Sequence, residues 1–226
     1  MWAITRATLL IICLSHFAGA QTGSLALYTG TADGLDASAI RSAQHELDRL
    51  LAPAGIDIAW RSLANRIPDE QFNRVVVVSF DGSCSPPDAA APLGKVQDSG
   101  ITLADSSVSN GHVLPFFHVD CTNLLHILAP SLRPMNAQAR NAAFGRALGR
   151  VMAHELYHIV GETTLHQTTG VAKASLSVQD LIGTSLDFDI ASLTQMRPPL
   201  PPGSLARSYT RPARDLIPGV EKVRER

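Results

Sequence analysis

Cysteine is scarce in this chain, with three residues in 226, at positions 13, 84 and 121. None lies within a short spacing of another, which argues against a dithiol redox centre. Aromatic side chains make up only 5% of the residues, and no basic patch is interleaved with them. The usual sequence signature of nucleic-acid binding is therefore missing, and no nucleic-acid partner is expected. No apolar run approaches the roughly 20 residues that a membrane helix needs, so no membrane span is expected. A Gly-x-Ser-x-Gly elbow and a phosphate-cradling glycine loop are both absent, which removes the serine-hydrolase and nucleotide-binding readings. There is no internal repeat.

Composition then divides the chain into three parts. Residues 1–20 read as a secretory signal: Met1–Arg6 carries one positive charge, Ala7–Phe17 is apolar, and Ala18-Gly-Ala20 is a small-residue cleavage site. Cys13 would leave with that segment, and a secreted or periplasmic product is expected. The remaining pair, Cys84 and Cys121, favours a disulfide in an oxidising compartment, with two buried free thiols as the alternative. Residues 197–226 hold seven Lys/Arg against three Asp/Glu together with Pro198-Pro-Leu-Pro-Pro202, and read as an extended basic tail. Residues 21–196 are long enough for one domain with a sizeable core.

Within that domain the periodicity alternates between strand and helix. Ser24–Ala32 reads as a strand. Asp36 caps a helix that reaches Leu51, with Ile40, Leu47, Leu50 and Leu51 on its apolar side. Pro53-Ala-Gly55 ends it, and Ile56–Ser62 is a second strand. Arg74–Phe80 contains four consecutive valines, the pattern of a strand covered on both faces. A Gly/Pro/Ser-rich surface loop, Asp81–Gly94, comes next. Gly100–Asp105 and Val113–Asp120 are predicted strands joined by a polar turn, Ser106–Gly111. A short helix from Asn123 to Leu128 is expected to break at Pro130 and Pro134. A long helix starts near Asn136 and runs to Val160, and Ser177 caps a last one reaching Ile182. The order predicts an α+β fold, a mixed sheet packed on the long helix.

The chemistry concentrates near the end of that helix, in His154-Glu-Leu-Tyr-His158. Histidines at i and i+4 stack on one helical face, so both imidazoles can converge on one metal ion. Phe144, Ala147, Leu148, Val151, Glu155 and Ile159 continue an apolar face inward, with Arg146 and Arg150 towards its flank. Glu155 projects about 100° round from His154, beside a metal rather than onto it. There its carboxylate can act as general base towards an activated water. Gly161 is expected to enter the left-handed conformation and reverse the chain. A hydrolytic zinc site takes three protein ligands and keeps one position open. His166 is the leading third ligand, with Glu162 and Asp180 as alternatives. Tyr157 points away from His154 and reads as packing. His112 and His118, in or beside the last strand pair, are candidate oxyanion stabilisers.

The run His154-Glu-Leu-Tyr-His158-Ile-Val-Gly161 resembles the zincin metallopeptidases, and His-x-x-Gly resembles their metzincin branch. In metzincins the third histidine follows that glycine by three residues, whereas His166 follows Gly161 by five. The continuation through Gly170–Ala174 is similar to secreted bacterial metzincin-like proteins. By that comparison it corresponds to the methionine turn beneath the metal, with Ala172 where the methionine is usual and Met196 as packing. The resemblance implies a zincin-like fold and Zn²⁺ held by His154, His158 and His166. It also implies peptide-bond hydrolysis with Glu155 as general base, on a peptide or protein substrate lying along an edge strand. Two other readings use the same residues: a catalytically silent zinc-binding or interaction protein on this scaffold, and zinc hydrolysis of a non-peptide bond.

Overall fold

The computed structural model describes residues 24–197, apart from 31–33, 66, 68 and 87–100. The signal segment 1–20, nearly all of the basic tail and residues 87–94 of the predicted surface loop lie outside the described residues. Among the described residues a first strand and helix are followed by four strands and then four helices. They are β1 (Ser24–Thr29), α1 (Ala37–Leu51), β2 (Asp57–Ser62), β3 (Arg74–Asp81), β4 (Ala104–Ser109) and β5 (His112–Asp120). After these come α2 (Cys121–Leu132), α3 (Ala137–Val160), α4 (Val178–Ile182) and α5 (Ile190–Met196). The last of these has no counterpart in the sequence reading. Among the described residues, no helix is long and apolar enough to cross a membrane.

The strands form one sheet in the order β2-β1-β3-β5-β4. All neighbours run parallel except β4 and β5, which pair antiparallel at one edge. The fold is therefore mixed α and β with a mixed sheet, as the element order predicts, and that sheet is mostly parallel. The valine run behaves differently from expectation. Val76 and Val78 have no exposure, while Val75 is 44% exposed and Val77 is half-buried, so the core lies under one face of β3 rather than both.

Two further expectations fail for local reasons. The predicted turn at Ser106–Gly111 is strand up to Ser109. Asn110 (φ 51°) and Gly111 (φ 80°) alone make the reversal, because both tolerate the left-handed region that a two-residue hairpin demands. The β4–β5 register shifts between Ser106 and Val108, and Pro115, which has no N–H to offer, lies opposite the irregularity. Pro130 does not break α2, since it falls in the final turn, and the chain leaves the helix just ahead of Pro134.

Helix α3 is held on the sheet by its crossing with α1. Gly145 and Gly149 let the two backbones approach: a Cβ at 145 would lie 2.3 Å from the Ala39 carbonyl oxygen, and one at 149 would lie 2.7 Å from that of Ala43. The close approach also explains the buried stripe of α1, which contains Ala39 and Ala43, while the predicted Ile40 is 38% exposed. Arg150 does not flank the helix as predicted but is wholly buried, with Nε donating to Glu46 Oε1 at 2.6 Å. Its Nη1 reaches the Asp180 carbonyl at 2.7 Å. Burial pushes the Glu46 carboxyl up, but hydrogen bonds from Arg49 and Arg150 outweigh it and hold the group below its ordinary range. At the other side of the core, Cys84 and Cys121 form a disulfide with Cα atoms 4.9 Å apart. Closing that 37-residue span stabilises the fold by up to about 4 kcal/mol in the chain-entropy account. Cys84 is fully buried, so the predicted surface loop dips inward there.

Gly145→Ala weighs two effects of opposite sign. Alanine favours a helix interior by about 1 kcal/mol over glycine. Forcing a methyl against a backbone oxygen costs about 1–3 kcal/mol, and more where backbone must move. The clash should win, so urea unfolding is expected to show a net loss of about 1–2 kcal/mol; an unchanged or raised midpoint would mean the helices do not cross this closely.

Candidate metal centre and catalytic carboxylate

The final turns of α3 carry His154, Glu155 and His158. The apolar face read from the sequence is buried as expected, from Phe144 through Ile159. What ends the helix differs from the prediction. Gly161 keeps a right-handed conformation (φ −77°), and Glu162 (φ 49°) takes the left-handed one. Space is tight at 161 instead, since a Cβ there would come 2.9 Å from Gln195 Cγ of α5. Arg74 of β3 satisfies the exposed helix end, donating to the Ile159 and Val160 carbonyls at 3.2 and 2.8 Å.

Past this reversal the chain returns His166 to the two helical histidines. One ligating nitrogen from each of His154, His158 and His166 lies within 4.8 Å of the others. This is a grouping of three that could hold a metal ion. Neither alternative third ligand joins it. Glu162 points out to Arg74, and Asp180 accepts from Lys173 Nζ at 2.7 Å and from Ser177 in the capping box of α4. Those bonds from Lys173 and Ser177 hold the Asp180 carboxyl down at about 2.

Proton positions in this cluster follow from hydrogen-bond chemistry. His154 Nδ1 lies 2.9 Å from the Val171 carbonyl oxygen, and His158 Nδ1 lies 2.8 Å from that of Thr163. A carbonyl only accepts, so both Nδ1 atoms carry the hydrogen and both neutral rings present a bare Nε2. Those two Nε2 atoms face each other at 3.1 Å. Burial disfavours the charged imidazolium and pulls both histidines below their ordinary range. Two lone pairs held this close can both bind one cation. Tetrahedral zinc at about 2.0–2.1 Å from each nitrogen would separate them by about 3.3 Å, close to what is seen. The residues fit a metal.

The turn after His166 supplies one of these anchors. Gly170 (φ 69°) has no room for a Cβ, which would lie 2.4 Å from the Asp187 carbonyl oxygen. The turn presents the Val171 carbonyl to His154 and buries Ala172 completely. Tyr157 is buried, as expected for packing, and its hydroxyl accepts from Gln167 Nε2 at 3.1 Å. Met196 is buried in the core cluster.

Glu155 opens into the same cleft, about 490 Å³ in volume, between α3 and strand β4. Ile101, Val108, Val113, Ile127, Val151 and Leu176 give it apolar walls. Only 5% of Glu155 is exposed, and burial raises its carboxyl above the ordinary range despite one opposing hydrogen bond. That bond comes from Ser106 Oγ, which donates to Oε2 at 2.6 Å. Sequence reasoning missed Ser106 by placing it in a turn. Reading Asn110-Gly111 as a two-residue hairpin would have put Ser106 in a strand, and the register shift beyond it brings Ser106 opposite the buried Phe117, on the core side. His118 and His112 do not reach the cleft. His118 aligns with Ser79 on the face that carries the half-exposed Phe116, and its Nδ1 is bonded to Ser79 Oγ. His112 is exposed and is not among the residues that line the cleft.

No family model, no curated protein and no solved structure matches this chain.

The geometry ranks the ligands. Substituting His166→Ala should weaken zinc binding at least tenfold, whereas Glu162→Gln and Asp180→Asn should leave it within about twofold. A competition titration of the three variants side by side would refute this ranking if His166→Ala bound zinc as the parent chain does.

Proposed function

We propose that this chain is an exported zinc-dependent metallopeptidase of the zincin type, resembling the metzincin-like branch. One observation supports it above the others. Two histidine Nε2 atoms are bare and converge, and a buried carboxylate that is not part of their cluster opens into the same cleft. A purely structural metal site has no use for that carboxylate. The disulfide supports export, since such bonds persist in oxidising compartments.

On this reading His154, His158 and His166 hold the ion. Zinc, when bound, draws the pKa of water towards 7 and polarises a carbonyl. Glu155 is oriented by the hydrogen bond that its Oε2 accepts from Ser106. Its raised proton affinity suits a group that accepts a proton from water and then passes it to the departing amine nitrogen. Burial keeps most of the carboxylate out of water, which strengthens each of these interactions. Among the described residues strand β4 is the antiparallel edge of the sheet beside the cleft, so an extended peptide can add to it as a further strand. The turn at Gly170–Ala174 lies against His154 through the Val171 carbonyl, as the resemblance to a methionine turn implies, although Ala172 replaces the thioether.

One observation favours the silent-scaffold alternative: neither His112 nor His118 enters the cleft, so neither can stabilise an oxyanion there. Glu155→Gln separates the two readings. It should retain about one zinc per chain and the parent fold, because Glu155 is not a ligand, while peptide cleavage falls on the order of 10²-fold or more. Cleavage of a broad peptide library by parent and variant checks this. A parent chain that loads zinc yet cleaves nothing supports the silent scaffold, and equal rates would remove Glu155 as the base.

A further inference from the structure

We infer that Ser106 is the positioning residue for Glu155, tying the orientation of its carboxylate to the strand on which a peptide would pair. The inference rests on the peptidase reading above. A glutamate's terminal torsion is broad and roughly two-fold, so apolar packing does not fix the plane of its carboxylate. A directed hydrogen bond does. Ser106 Oγ lies 2.6 Å from Oε2, the separation of a charge-assisted O–H···O bond. Serine has one hydroxyl hydrogen, and here it is spent on Glu155. The bond to Oε2 fixes the plane of the carboxylate, and with it the direction of Oε1.

The sheet delivers this hydroxyl. Ser106 is in register with Phe117, whose side chain is buried in the core, so alternation aims Ser106 towards α3. The irregularity comes directly after it, between Ser106 and Val108, and re-aims the rest of the edge. Contacts between β4 and α3 therefore include one polar link, made at the base itself. Any shift of β4 when a peptide adds to its edge is transmitted to the carboxylate through that link.

The test uses an isosteric pair suited to a strand, Ser106→Thr, which keeps the hydroxyl, and Ser106→Val, which removes it. Both are made in the zinc-loaded full chain, alone and with Glu155→Gln. Ser106→Val should lower kcat about tenfold with KM within about twofold and zinc content unchanged, and Ser106→Thr should recover most of the loss. In the Glu155→Gln background Ser106→Val should cost nothing further. A second readout needs no activity: in urea, Ser106→Val should change the unfolding constant about tenfold more with Glu155 present than in the Glu155→Gln background.

Parent-like kcat in Ser106→Val, equal impairment of both Ser106 variants, or an unfolding effect independent of residue 155 would each overturn the role. A parent chain that cleaves no peptide overturns the peptidase reading and this role together. A cleaving parent with no coupling between the two positions overturns the role alone.

Discussion

Two backbone carbonyls commit the Nδ1 atoms of His154 and His158, and much of the site follows from that. With those hydrogens assigned, two Nε2 lone pairs meet 3.1 Å apart in a pocket that disfavours imidazolium. The elements around the helix end serve to hold the two carbonyls in place. Thr163 offers its oxygen because Glu162 turns left-handed directly after α3. Val171 offers its own because Gly170 can pass against Asp187, while Lys173 and Asp180 tie the same turn to α4. The geometry of the three-histidine cluster is thus set by loops, but the loops are pinned to packed helices.

The helix that carries the motif is itself fixed by contacts of a different kind. Its crossing with α1 depends on two glycines and two alanines, which bring the backbones closer than larger residues allow. Beside that crossing lies Arg150, fully buried against Glu46 and the Asp180 carbonyl. A buried ion pair of this sort adds little net stability over a well-packed apolar pair, yet losing one partner costs about 3–5 kcal/mol. It defines where α1, α3 and α4 meet, and so where the histidines point.

The sequence revealed the helices better than the strands' surroundings. Hydrophobic periodicity along α3 and the caps Asp36 and Ser177 are local signals, and the structure keeps them. The valine run reads as doubly covered because composition cannot report that helices pack on only one side. Arg150 reads as a flanking residue because its partner, Glu46, is 104 residues away. Of the site, His154, Glu155 and His158 are legible from spacing, and His166 from its place after a glycine. Ser106 becomes legible as a strand residue only once Asn110-Gly111 is read as the hairpin turn, since a serine-rich segment otherwise reads as a loop. The candidate histidines of β5 are misplaced for the complementary reason: a strand's two faces look alike until its partners are known.

The central claim is that a zinc ion belongs between the three histidines with one position left open. Zinc-edge X-ray absorption on the full chain, purified without chelator, tests it most directly. The account predicts about one zinc per chain, three imidazole nitrogens at about 2.0–2.1 Å and one further light atom from solvent. Protein without a transition metal, or zinc enclosed by four protein ligands, would contradict it.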